Sequence, residues 1–292
     1  MSKLSTSAVT ADTGSLMTQR LAWPLLAIVA ALSCASCSSL APPKTDLTEA
    51  IQHRVEHVTI GNAQVDLHLA ELPGILPDAP LVIFASGDGG WFGSAVGMFE
   101  TIAAGGYPVA GVSARALLRG LRGEGRQIST SHVRQAYREI IRTARSGLGL
   151  SDTRPIIIAG WSRGAALAII VGAEHPGEPI VGVLGIGMAA DEDLNVDLDS
   201  DDDTAVSPAA PGRLDTYSLS RQVTGSVAVI QSTGDGYLPA KQARLAFGAD
   251  SVSRRFFEVG ANNHRFSGGE GSFRRVVVEA LNWISTNEGA HQ

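Results

Sequence analysis

Between Leu81 and Val259 the chain keeps returning to short runs that are apolar at nearly every position, separated by longer stretches in which apolar residues recur at helical spacing. A strand with one wet face would alternate apolar and polar residues. A run with hardly a polar member suits a strand covered on both faces, and helices crossing from one parallel strand to the next supply that cover. The runs are Leu81–Ser86, Pro108–Ser113, Ile156–Ala159, Ile180–Ile186, Val227–Ser232 and Arg255–Val259, and ahead of them Val55–Ile60 and Gln64–Ala70 pair as a hairpin about Gly61 and Asn62. Between the runs, Val133, Ala136, Tyr137, Ile140, Ile141 and Ala144 mark one helix behind caps at Ser129–Ser131, and Val276–Ile284 repeats the pattern near the C-terminus. The expectation is an α/β class fold, a mostly parallel central sheet of about eight strands with helices on both faces.

Composition narrows the functional classes. In 292 residues, 44% are hydrophobic and 18% charged, which describes a globular chain long enough for a large core. The net charge of −6 argues against nucleic acid as a partner, because phosphates would not be neutralised. Both cysteines, Cys34 and Cys37, lie near the N-terminus, so the rest of the chain has no disulfide, thiolate metal site or cysteine nucleophile.

Those cysteines fall in an export-type leader. Arg20 precedes an apolar run from Leu21 to Leu32, and small residues follow. The run is shorter than the ~20 apolar residues of a membrane-spanning helix. Leu32–Cys37 resembles a lipoprotein box, with Ala35 and Ser36 before Cys37, although Cys34 stands where an aliphatic residue is usual. Lipidation of Cys37 and plain cleavage nearby both stay open, and either places the body outside the cytoplasm. The expected organisation is an export signal at 1–37, a linker at 38–54 containing Ala41, Pro42 and Pro43, and a single domain at 55–288.

Charge is unevenly placed. Residues 191–203 hold eight acids and no base, and 191–215 reads as an acidic, solvated insertion. Asp197, Asp199 and Asp201 alternate like the start of a calcium loop, but Asp202 stands where glycine belongs and Pro208 where glutamate belongs, so no metal is expected. Eight arginines lie between Arg115 and Arg145, of which Arg134, Arg138 and Arg142 recur every four residues. Such a stripe reads as a solvated face or as an attraction to anionic headgroups.

Gly160-Trp161-Ser162-Arg163-Gly164 has the form G-x-S-x-G, in which the serine occupies a strained turn between strand and helix. The motif is short enough to arise by chance. Its context raises it, because Pro155–Ala159 before it is a buried-strand run and Ala165–Val171 after it is helix-compatible. A serine hydroxyl is a weak nucleophile until a base takes its proton, and that base needs a carboxylate to fix its tautomer. His264 follows the last strand run and precedes the last helix, whereas His53, His57, His68 and His132 precede the serine, His175 points away and His291 lies in the tail. Asp235, three residues beyond the Val227–Ser232 run, emerges where catalytic groups collect, at the carboxyl edge of a parallel sheet. Asp215 and Asp250 are the competing acids.

Acyl transfer also needs donors for a developing oxyanion. The backbone N–H groups of Arg163 and Asp88 are the candidates, the latter in Ser86-Gly87-Asp88-Gly89-Gly90-Trp91, whose glycines let backbone approach a ligand. Gly87, Gly89, Trp91 and Trp161 are expected to line the substrate site. A phosphate loop is disfavoured, since Phe92 stands where a third glycine belongs and no lysine follows. No cofactor is expected.

GWSRG, Asp235 and His264 in this order resemble the α/β-hydrolase superfamily over about residues 55–286. SGDGGW resembles the corresponding loop of the VirJ/AcvB family of exported bacterial hydrolases. This chain departs from that family's pattern at Arg163 and Ala165, where an aromatic or aliphatic residue and then Ala-Asp are more usual. The resemblance implies an α/β-hydrolase fold and a periplasmic serine hydrolase acting on a carboxylic ester, with the aminoacyl ester of aminoacylated phosphatidylglycerol as substrate. It implies Ser162 as nucleophile, His264 and Asp235 as its partners, and Asp88 in the oxyanion loop. A phospholipid and, through a lipid on Cys37, the membrane surface are the implied partners. The alternative from another class is a non-catalytic binding module of a secretion or envelope complex on the same scaffold.

Overall fold

The computed structural model describes residues 51–72, 76, 78–123, 127–174, 177–195 and 213–287. The leader, most of the linker, His175, His291 and the acidic residues 197–203 lie outside the described residues. In chain order the elements are β1 (Gln52–Ile60), β2 (Ala63–Glu71), β3 (Leu81–Ala85), α1 (Ser94–Ala104), β4 (Val109–Val112), α2 (Ala114–Arg122), α3 (Thr130–Leu148), β5 (Ile156–Trp161) and α4 (Arg163–Ala173). They continue with β6 (Ile180–Ile186), β7 (Asp191–Asp193), β8 (Arg213–Asp215), α5 (Thr216–Ser220), β9 (Ser226–Ser232), α6 (Ala240–Phe247), β10 (Arg254–Val259) and α7 (Glu270–Thr286).

Eight strands form one sheet in the order β1-β2-β4-β3-β5-β6-β9-β10. The β1–β2 hairpin turns at Gly61 and joins β4 antiparallel, and every later pairing is parallel. Successive strand residues point to opposite faces. Leu81, Ile83, Ile156, Ile158, Val227 and Val229 accordingly pack beneath α2, α3, α4 and α6. Val82, Phe84, Ile157, Ala159, Ala228 and Ile230 pack against α1 and α7 on the other face. The continuous apolar runs are therefore the residues of a sheet sandwiched between two helical layers, as expected.

Local signals set the helix that braces the first face. Ser129 caps α3 by accepting from His132 N–H while His132 Nδ1 accepts from Ser129 N–H, and Gly149 ends the helix in the left-handed region at φ 64°. Of the arginine stripe on α3, Arg134 pairs with Glu174 at 2.9 Å and Arg142 with Glu139 at 2.6 Å, while Arg138 is exposed. Arg145, counted with them in the sequence, is buried instead and binds Glu178 at 3.1 Å and the Arg154 carbonyl.

Two sequence expectations are corrected. The 38–54 linker ends earlier, because β1 begins at Gln52; the strand lies at the sheet edge and exposes its first six residues, leaving little apolar signal to read. The acidic segment does not begin as a solvated insertion. Asp191–Asp193 pair antiparallel with Arg213–Asp215, and Glu192 is only 9% exposed.

Candidate active site

Ser162 stands between β5 and α4 at φ 56° and ψ −123°, one of two non-glycine residues with positive φ among those described. Such a conformation is unfavourable for a residue with a Cβ and persists where the surroundings enforce it. Here the flanking glycines let strand and helix close together. A Cβ on Gly160 would lie 2.0 Å from the Gly164 carbonyl oxygen, and one on Gly164 would lie 2.2 Å from that of Ala85. Ser162 N–H donates to the Ile186 carbonyl at 2.8 Å, tying the turn to β6.

His264 comes from the loop between β10 and α7. Asn263 Oδ1 accepts from the N–H groups of Arg265 and Ser267, and Phe266, at φ 62°, drops its buried ring onto Phe273 at 4.5 Å. This knot presents the imidazole to the sheet edge. Trp161 Nε1 donates to the His264 carbonyl at 3.2 Å, and a Cβ on Gly187 would come within 2.9 Å of the imidazole Cε1. The glycine makes room for the ring.

Asp235 lies at the end of β9, 1% exposed. Its Oδ2 accepts from His264 Nδ1 at 2.7 Å and from Gln231 Nε2 at 3.0 Å; its Oδ1 accepts from the N–H groups of Tyr237 and Leu238. Burial pushes the carboxyl up, but His264 and those backbone donors outweigh it and hold it below the usual range. Since Nδ1 donates to Asp235, the imidazole lone pair is on Nε2. Nε2 is buried and, among the described residues, makes no hydrogen bond, to Ser162 or to any other. The competing acids are occupied elsewhere. Asp215 caps α5 by accepting from Ser218 N–H, and Asp250 binds Arg244.

Ser162 and His264 line one pocket of about 360 Å³. Gly87, Asp88, Gly89 and Trp161 line it too, and a Cβ on Gly87 would touch that of Ser162 at 3.1 Å. Arg163 N–H is the first of α4, among the donors that a helix leaves without an intrahelical acceptor. Trp91 is a correction. It lies outside the pocket, stacked on His68 at 4.3 Å and 6° and set edge-on to Phe99 at 5.1 Å, over the space that Gly111 leaves on β4. Phe92 and Tyr237, 65% and 80% exposed, reach the pocket with Arg265, and the sequence assigned none of the three to the site.

Nor did it name Glu192 or Gln231. Glu192 lines the pocket and binds the buried Arg163 guanidinium, which also binds Asp88. Burial pushes the Glu192 carboxyl up to about 7 against the pull of Arg163. The pattern of acids offered no means of telling Glu192 from its neighbours, and Gln231 sat unremarked inside a strand run.

No family model matches the sequence, and no curated protein matches it. Solved structures do. The esterase domain of a Rhodothermus marinus protein is 16% identical with a TM-score of 0.54, covering 80% of this chain and 100% of that one. A dienelactone hydrolase from Anabaena variabilis is 16% identical at 0.52, over 80% and 98% of the two chains. An acylaminoacyl peptidase from Pyrococcus horikoshii is 12% identical at 0.57, over 80% of this chain and 41% of its own. With the strand order and the helical layers, these likenesses show the α/β-hydrolase fold.

Proposed function

We propose that this α/β-hydrolase-fold chain is an exported serine hydrolase that cleaves a carboxylic ester through a covalent acyl-enzyme. One observation carries the reading: Ser162, on its positive-φ turn, shares a pocket with an imidazole whose Nδ1 is fixed by Asp235 and whose Nε2 is uncommitted. In this mechanism Ser162 Oγ attacks the ester carbonyl as His264 Nε2 takes its proton, and the imidazolium is stabilised by Asp235. The oxyanion is held by the N–H groups of Arg163 and Asp88 until the carbonyl re-forms. The leaving alkoxide takes the proton from His264, and water then releases the acid by the same route. The names of the structural neighbours, an esterase domain, a dienelactone hydrolase and an acylaminoacyl peptidase, are in keeping with acyl chemistry.

The SGDGGW loop favours the aminoacyl ester of aminoacylated phosphatidylglycerol as substrate. The mouth of the pocket, with two exposed aromatic rings and Arg265, suits an amphiphile that carries a phosphate. The leader favours a periplasmic site of action, tethered to the membrane if Cys37 is lipidated. A fluorophosphonate probe tests the nucleophile: the parent should label and Ser162→Ala should not. Equal labelling of the two overturns the assignment, and a parent that neither labels nor turns over esters points to the binding-module alternative. Lipid profiling of a deletion strain tests the substrate, with accumulation of aminoacylated phosphatidylglycerol expected.

A further inference from the structure

The residue after the elbow serine has a side chain as well as a backbone N–H, and that side chain turns inward. Arg163 is 7% exposed. Its Nε donates to Asp88 Oδ1 and its Nη2 to Asp88 Oδ2 at 3.4 Å, while Nη1 reaches Glu192 Oε1 and the Asp193 carbonyl, each at 2.7 Å. One guanidinium thus joins three segments that reach the site separately: the α4 N-terminus beside Ser162, the loop after β3, and β7. The loop has little stiffness of its own, since glycine occupies positions 87, 89, 90 and 93 and the turn bond from Gly90 N–H to the Gly87 carbonyl spans only its start.

Asp88 and Arg163, joined here through their side chains, are also the two residues whose backbone N–H groups are the oxyanion candidates. We propose that the Arg163 side chain is a positioning residue, a clamp that holds the Asp88 N–H in register with its own so that both donors meet one oxyanion. Glu192 and the Asp193 carbonyl hold the far side of the guanidinium and keep it from swinging out to solvent. Arginine suits the task because its planar fork is always charged and engages several acceptors at fixed angles, which a lysine ammonium cannot do. The inference rests on the ester-hydrolase reading above.

The test compares the full chain with Arg163→Met, Asp88→Asn and the double variant Arg163→Met/Glu192→Gln, all of which keep both backbone donors. Each is assayed on p-nitrophenyl acetate for kcat and KM. Each is also titrated with an aryl trifluoromethyl ketone, whose hemiketal anion with the serine would sit on the donors. Outright removal of an oxyanion donor costs about 10²–10³ in kcat, so a displaced one in Arg163→Met should cost about 10–100-fold, with KM little changed and ketone affinity falling in proportion. Asp88→Asn should lose less. The double variant leaves no unpaired buried carboxylate, so it keeps its fold yet lacks the clamp, and its kcat should stay as low as that of Arg163→Met. Full kcat in the double variant would reduce Arg163 to a charge partner of Glu192 and overturn the proposal, as would unchanged kcat in Arg163→Met or a loss confined to KM. Absence of turnover in the parent, or turnover surviving Ser162→Ala, overturns the hydrolase reading and the clamp with it.

Discussion

In the Ser162 pocket a buried carboxylate holds an imidazole, and two further carboxylates hold a buried guanidinium. Among the described residues the Asp235–His264 pair fills all but one of its valences: Asp235 accepts four hydrogen bonds, and His264 Nε2 has no partner. The Asp88–Arg163–Glu192 group engages Arg163 through Nε and both terminal nitrogens. An imidazole exchanges its proton near neutral pH and a guanidinium does not. In the proposed mechanism, similar ingredients therefore serve as a proton carrier in one place and a brace in the other, and what separates them is the intrinsic acidity of the base and whether a nitrogen is left unspent.

The largest expected effect breaks the proton carrier. His264→Ala should lower kcat by roughly 10⁶, since serine and histidine act as a unit. Asp235→Asn, which leaves the imidazole in place but lets it take the wrong tautomer, should cost about 10⁴. Steady-state rates on an activated ester measure both, and a near-equal loss would mean that Asp235 supports the fold rather than the tautomer.

A smaller effect separates the two assemblies by pH. The Glu192 carboxyl, at about 7 in the folded chain, lies above its ordinary unfolded value, so folding takes up a proton across the interval between them. Stability should consequently fall as pH rises from about 4.5 to about 7 and level off above, by up to about 3 kcal/mol from this group. Urea unfolding of the parent and Glu192→Gln across that window should show the variant with the flatter curve. Parallel curves would mean that Arg163 keeps Glu192 ionised throughout. The smallest effect is expected at the rim. Tyr237 meets His264 edge-on at 4.9 Å, yet its side chain is mostly in solvent, so Tyr237→Ala should lower kcat/KM by less than about tenfold, through KM. A loss in kcat would instead bring that ring into the positioning of the imidazole.

The sequence by itself determined the sheet and the order of its chemistry. Strands covered on both faces must be apolar throughout, so their runs were readable, and the serine, aspartate and histidine stood out because each followed such a run. It also placed Gly87, Asp88 and Gly89 beside Ser162, as a loop leaving a parallel strand must come to that edge. Tertiary structure alone decided the rest. Trp91 adjoins the glycine loop in the chain, but its ring went to the sheet because Gly111 on β4 leaves a space that only a fold reveals. Glu192 looked like any member of an acidic run. Burying a carboxylate is costly unless a partner arrives, and Arg163 arrives from α4, 29 positions earlier in the sequence. Spacing along a strand or helix records which face a residue takes, but pairing between distant charged side chains leaves no periodic trace, and so the Arg163–Glu192 pairing beside Ser162 could be seen only once the chain had folded.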